Sequence, residues 1–390
     1  MVCFVALLAF SNPQSVVVQD VAELRNAAAA AQPGTTILLA PGDYQGGIHL
    51  SNIHGAANAR IRISAQDPTR KPRIIGGGSG LQLSAVSFLD ISDLVITDAR
   101  GNGLNIDDGG KAAPSRHVTI TNILVQRLPK GNHDAIKLSG LEDFQVSQSQ
   151  VEDWGGSGID MVGCHRGVID KCTFQRGGDN GVQAKGGSSQ ITISGSRFTD
   201  AGQRGINLGG STGREFFRPP LHIVPAGQRV EAKAITVENC VFSGSMAPIA
   251  FVGSEQTIVR NNTIYNPGRW ALRILQETRE LDFKPCQRGE FSNNIVAFRS
   301  DRWASGGVNI GPGTLPETFL FKGNLWYCLD QPSRSRPTLP SPETGGTYGQ
   351  DPQLADPERG NFLVNAKGIT KKGADLSLGA SASGPGKRRS

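Results

Sequence analysis

Four short stretches, Asp134–Gly140 (DAIKLSG), Ser157–Gly163 (SGIDMVG), Asn180–Gly187 (NGVQAKGG) and Arg204–Gly210 (RGINLGG), repeat one pattern at nearly constant spacing. Each carries an apolar-polar-apolar triplet after a glycine or acidic turn: Ile136-Lys137-Leu138, Ile159-Asp160-Met161, Val182-Gln183-Ala184 and Ile206-Asn207-Leu208. The central residues are 23, 23 and 24 positions apart. A fixed period in the twenties, in a unit too short to bury its own apolar side, is the signature of a solenoid. The alternation inside the unit is that of a strand. A second strand-like run falls between the units: Val118-Thr119-Ile120, Phe144-Gln145-Val146 and Ile191-Thr192-Ile193. The pattern predicts an all-β parallel β-helix, one coil per repeat.

The register extends both ways, through Ile48-His49-Leu50, Leu81-Gln82-Leu83 and Leu104-Asn105-Ile106 upstream and Ile249-Ala250-Phe251, Leu272-Arg273-Ile274 and Val308-Asn309-Ile310 downstream. This gives about ten coils and one outward column: His49, Gln82, Asn105, Lys137, Asp160, Gln183, Asn207, Ala250, Arg273, Asn309. With strands about 4.8 Å apart, such a column is long enough to follow an extended chain.

Composition says less than the repeat. A length of 390 residues suggests two or three domains, but a solenoid grows coil by coil and overrides that expectation. The 50 glycines suit tight coil corners, where positive φ carries no steric cost. The net charge of +6 is concentrated in the last 24 residues, where Lys367, Lys371, Lys372, Lys387, Arg388 and Arg389 face only Asp375. Global charge therefore gives no account of the substrate, and residues 366–390 read as a basic, disordered tail. Val2 to Phe10 is apolar, too short to span a bilayer and suited to the core of a secretory signal, so residues 1–15 read as a truncated signal segment. Asp20 to Ala31 has a capping residue, an alanine-rich run and Pro33-Gly34 as a stop, which predicts a short helix closing the first coil.

Pro33–Tyr44 (PGTTILLAPGDY) followed by Ala59–Gln66 (ARIRISAQ) resembles the opening of right-handed parallel β-helix proteins of the pectate-lyase-like superfamily, nearest the alginate lyase and chondroitinase B family. Tyr348–Pro357 with Gly360-Asn361-Phe362 is similar to a closing hallmark of that superfamily. The resemblance covers residues 16–365 and implies a right-handed helix in a single domain.

A further column, Asn122, Gln148, Lys171, Gly195, Asn239, Asn261 and Asn293, falls at one corner, where stacked amides are expected to satisfy backbone groups. Cys172 and Cys240 share the next column with Ser196 between them, two coils or about 9.6 Å apart, beyond disulfide reach. Cys286 and Cys328 sit in long connections and are free to pair in an exported protein. No Cys/His spacing suits zinc.

Chemistry is expected where the column is polar and loops are long. Asp134, Lys137, Asp160, Asp179, Gln183, Lys185, Arg204 and Asn207 gather on the central coils. Lys185, two residues beyond Gln183, leaves the same face. Ser211 to Lys233 leaves the solenoid here with Arg214, Phe216, Phe217 and Arg218, and Glu277 to Arg288 leaves after Arg273, so that two loops wall one groove. Aromatic faces and guanidinium groups suit sugar rings and carboxylates.

Three functions compete for these residues. A lyase must neutralise a uronate carboxylate, remove the neighbouring proton and protonate the leaving oxygen. The order Asp134, Asp160, Lys185 resembles the calcium aspartates and lysine base of family-nine pectate lyases, with Ser157-Gly158 where that family carries paired aspartates. The chondroitinase B and alginate lyase branch implies a Lys base with an Arg partner, here Lys185 with Arg204 or Lys137 with Arg273. For a hydrolase, Asn132–Gly140 resembles the aspartate stretch of polygalacturonases, with His133 replacing one aspartate and no Arg-x-Lys at the later coil. The third function is a non-catalytic carbohydrate-binding or surface protein, in which Lys137 and Asp160 are a solvated cross-strand pair.

The sequence therefore predicts a secreted or cell-envelope protein cleaving an anionic polysaccharide by β-elimination. Lys185, Arg204 and Lys137 are the catalytic candidates, with Gln183, Asn207, Arg214, Phe217 and Arg273 on the substrate. Asp134, Asp160 and Asp179 are the candidate ligands of calcium. The expected partner is polysaccharide, with no nucleic acid and no membrane span, and the chain is expected to be a monomer.

Overall fold

The computed structural model describes residues 14–110, 113–364 and 373. The segment read as a signal and the basic tail lie outside these residues, apart from Gln14, Ser15 and Gly373. Among the described residues, three parallel sheets of fifteen, ten and twelve strands wind into a β-helix of about twelve turns, closed by the antiparallel pair Leu354–Asp356 and Asn361–Val364. The expected ten coils are those of one sheet. The other two run further, because the first and last coils place no strand in it.

Every pairing of the predicted column is present: His49 with Gln82, Gln82 with Asn105, Asn105 with Lys137, and on through Asp160, Gln183, Asn207, Ala250 and Arg273 to Asn309. The flanking apolar residues, from Ile136 and Leu138 to Leu272 and Ile274, point inward and are buried. Phe174, Phe198 and Phe242 stack with centroids 4.8 and 4.7 Å apart. This explains the glycine that opens three of the four repeats. A Cβ on Gly158, Gly181 or Gly205 meets these rings at 2.9, 2.8 and 2.9 Å, so no larger residue fits without displacing the stack.

The seven corner residues all take left-handed backbone, with φ between 51° and 56°. The amide ladder, however, runs one position later. Asn262, Asn294 and Asn324 point inward, and each backbone N–H donates to the next side-chain oxygen: Cys240 N to Asn262 at 2.9 Å, Asn262 N to Asn294 at 2.9 Å and Asn294 N to Asn324 at 2.9 Å. The corner residue supplies conformation; its successor supplies hydrogen bonds. Asn294→Ala strips partners from a dry interior and is expected to cost about 3 kcal/mol, read as a lower denaturation midpoint with the coil C-terminal to it loosening first.

Helix Val21–Ala30 forms as expected. The Asp20 side chain accepts from Glu23 N at 2.8 Å, Glu23 accepts from Gln19 N at 2.7 Å, and Leu24 and Ala28 cover the first coils. No helix among the described residues is long and apolar enough to cross a membrane. Cys286 and Cys328 are free, buried thiols, and so are Cys164, Cys172 and Cys240. Burial pushes the last three up to about 12. Peptide mapping after alkylation of the native protein at neutral pH is therefore expected to find these three unmodified.

Candidate functional site

The middle of the ten-stranded sheet carries a buried ionic centre. Lys137 lies on strand Ile136–Ser139 and Asp160 is its cross-strand partner on Ser157–Val162. The Lys137 ammonium donates to Asp160 Oδ2 and, at 3.2 Å, to Asp134 Oδ2. The two carboxylates are almost fully buried, with side chains 5% and 2% exposed. Asp134 Oδ1 accepts from Ser157 N at 2.8 Å, whereas Asp160 Oδ1 has no partner among the described residues. Burial pushes the Asp134 carboxyl up, and the Asp160 charge adds to this. Burial pulls Lys137 down, but the Asp160 and Asp134 carboxylates together outweigh it and hold the ammonium above its usual range. Lys137, a catalytic candidate from sequence, is thus a pinned cation rather than a free base.

Lys185 reaches the same carboxylate from the far end of strand Asn180–Lys185. Its Nζ lies 3.6 Å from Asp160 Oδ2, and its side chain keeps 20% of its surface. Arg204 starts strand Arg204–Gly209 and leans in from the opposite edge, donating to Asn207 Oδ1 at 3.0 Å and to Glu277 at 2.7 Å. Asp160 and Asn207 are two strands apart, about 10 Å, with Gln183 between them. The two cationic heads therefore bracket Gln183. Gln183 and Asn207, expected to line subsites, are 8% and 1% exposed and form the floor beneath those heads. Arg273 stacks over Trp270 at 4.9 Å, with Arg269 over the same ring at 4.5 Å, and donates to Asn309 at 2.9 Å. Burial and the nearby Arg204 guanidinium pull Arg273 below its usual range.

The two insertions do not wall a groove from opposite sides. They pack on each other as one wall, beyond the C-terminal ends of the strands: Phe217 meets Phe283 edge-on at 5.4 Å, and Arg214 donates to Asp282 at 2.9 Å. Phe217 is 2% exposed in a cluster with Leu221 and Phe283, so it holds the loop and cannot present a ring to a sugar. Arg214 is spent on the same loop contact. Arg218 reaches back along the sheet to Asp108 at 2.9 Å. Glu231, which sequence reasoning missed, is fully buried and accepts from Gly186 N at 3.0 Å, Thr212 N at 3.0 Å, Thr212 Oγ1 at 2.7 Å and Thr278 Oγ1 at 2.5 Å. It ties both insertions to the turn after Lys185. Glu277 was missed as well; neither acid has a local sequence signal, because its partners are distant in the chain.

Asp179 is exposed and stands outside the ionic centre. Calcium takes six to eight oxygens at about 2.3–2.6 Å. The Asp134 and Asp160 carboxylates instead share an ammonium, and among the described residues no three acidic, histidine or cysteine side chains gather to hold a metal. The residues present do not fit a calcium ion.

A family model for a right handed beta helix region matches residues 74–217. No curated protein matches the sequence. Among solved structures, an alginate lyase from Paenibacillus sp. str. FPU-7 aligns at 14% identity and TM-score 0.52, covering 77% of this chain and 99% of that one. The pectate lyase Pel9A aligns at 13% identity and TM-score 0.52, covering 78% and 82%. The A-module of the mannuronan C-5 epimerase AlgE6 of Azotobacter vinelandii aligns at 12% identity and TM-score 0.53, covering 85% and 94%. At such identities the likeness is one of fold, and the chain has the right-handed parallel β-helix fold that these structures share.

Proposed function

We propose that this protein acts outside the cytoplasm on a uronate-containing polysaccharide and cleaves it by β-elimination. The observation that carries the reading is the pair of cationic heads, Lys185 and Arg204, leaning from opposite edges of one sheet over the buried Gln183 and Asn207 floor. A uronate ring over Gln183 brings its carboxylate to Arg204, which exchanges Glu277 for the substrate. The charge drawn onto the guanidinium makes the proton on the adjacent ring carbon more acidic. Lys185, a cation in the resting site, acts once it has given its own proton to solvent: it takes the proton from that carbon, the electron pair forms the ring double bond, and the glycosidic oxygen leaves with the proton returned from the Lys185 ammonium so formed. Lys137 does not take part in proton transfer. It holds Asp160, which in turn holds Lys185.

The likeness to polysaccharide lyases in fold supports the substrate class, and the solenoid's long outward column suits an extended polymer. A polygalacturonase-like hydrolysis is less well supported, because Asp134 and Asp160 are both buried and both hold the Lys137 ammonium rather than facing a substrate. The test is mass spectrometry of the products from a panel of uronate polysaccharides. Elimination gives oligosaccharides lighter by one water than hydrolysis does; hydrolysis masses, or uncut polymer throughout, overturn the reading. Arg204→Ala is expected to raise KM about tenfold or more while also lowering kcat, since the guanidinium meets the carboxylate in ground and transition states alike.

A further inference from the structure

The ionic centre is neutral as it stands. Asp134 and Asp160 carry two negative charges, Lys137 and Lys185 two positive ones, and the acids are almost fully buried. A divalent ion added to this set leaves an uncompensated double charge in a dry place, which burial strongly disfavours. Without the Lys137 ammonium the set is one charge negative, so that a divalent ion leaves a single charge there instead of two. Two carboxylates then face one another across the space it filled, where, among the described residues, Asp160 Oδ1 already lacks a partner and Asp134 Oδ1 accepts only from Ser157 N. That is a set of hard oxygen donors of the kind calcium takes, and the orphaned, buried Asp160 oxygen is an acceptor that a single ammonium on Oδ2 leaves unused.

We infer that the Lys137 ammonium is the built-in cation of this centre, standing where a divalent ion would bind, so that the protein holds no metal there and acquires a calcium site when Lys137 is replaced by a small residue. The inference rests on the proposed function only for the purpose of the centre, which is to fix Asp160 beneath Lys185. Metal binding itself is read without substrate, so a failure of the lyase reading and a failure of this inference are told apart.

The experiment is isothermal titration of CaCl2 into the full-length wild-type protein, Lys137→Ser, Lys137→Arg, and Lys137→Ser combined with Asp160→Asn, with the thermal midpoint of each recorded in CaCl2 and in EDTA. Wild type and Lys137→Arg are expected to show no saturable heat and equal midpoints in the two buffers. Lys137→Ser is expected to bind one equivalent at least about a hundredfold more tightly than wild type, to melt higher in calcium, and to lose both effects with Asp160→Asn. Saturable wild-type binding that is absent from the protein carrying both Lys137→Ser and Asp160→Asn overturns the inference. So does a folded Lys137→Ser protein that takes no calcium, or one that stays unfolded even with calcium present, since an equivalent cation should restore it.

Discussion

Lys185→Ala is expected to lower the rate of double-bond formation by about 10³-fold, within the range of losses seen when a positioned base is removed. The fold should survive, because the Lys185 side chain lies on the surface of the sheet and its only ion pair among the described residues is the 3.6 Å contact with Asp160. Asp160 keeps Lys137 as its counter-ion in the variant, so no buried charge is orphaned. The loss should fall on kcat with KM changed little, since the base contributes in the transition state rather than in binding. Lys185→Arg keeps the charge and the reach but not a readily deprotonated amine, and should recover little of the rate. A Lys185→Ala protein that keeps most of its activity would move the base elsewhere.

Lys137→Met is expected to cost about 3–5 kcal/mol, the penalty for breaking a buried ion pair from one side. Asp134 and Asp160 then share a dry space with Lys185 alone between them and solvent. In a solenoid the loss is local rather than global, so it is read best by hydrogen exchange. Strands Ile136–Ser139 and Ser157–Val162 should open first, while coils near the helix stay protected. The pH dependence follows from the direction of the Lys137 shift. Its folded value is raised above the ordinary 10.5, so its stabilisation is complete below 10.5 and is lost as pH rises through the folded value. The difference between wild type and Lys137→Met should therefore hold steady from neutral pH to the ordinary lysine range and close only above it.

The fold was legible because two periods reinforce each other. A coil repeat of 23 or 24 residues fixes which strands are neighbours, and the two-residue alternation fixes which side chains face out, so the whole column from His49 to Asn309 pairs as read. The left-handed corner residues were legible for the same reason. The amide ladder was misplaced by one position, because sequence marks a corner but not which of two adjacent asparagines turns inward, as Asn261 and Asn262 illustrate.

The site was half legible. Residues on regular strands fall where the register requires: Lys137, Asp160 and Lys185 come together, and Arg204 stands beside Asn207 two strands on. Residues on the insertions do not follow any period: Phe217 turns into Phe283, Arg214 into Asp282, and Glu231 gathers donors from three separate segments. Such pairings depend on how two loops fold onto each other, which no repeat encodes. Equally hidden was the burial of the floor, since an outward column reads as exposed until the long side chains of its neighbours are seen to lie across it.

The central claim, elimination at a site built on Lys185 and Arg204, is tested most directly by following ultraviolet absorbance of the conjugated unsaturated uronate as the purified protein meets a panel of uronate polysaccharides, in calcium and in EDTA. A rise on at least one polymer, equal in the two buffers and abolished by Lys185→Ala, is the predicted result. No rise on any of them, with no new reducing ends, would contradict the account and leave the ionic centre as a structural clasp in a binding protein.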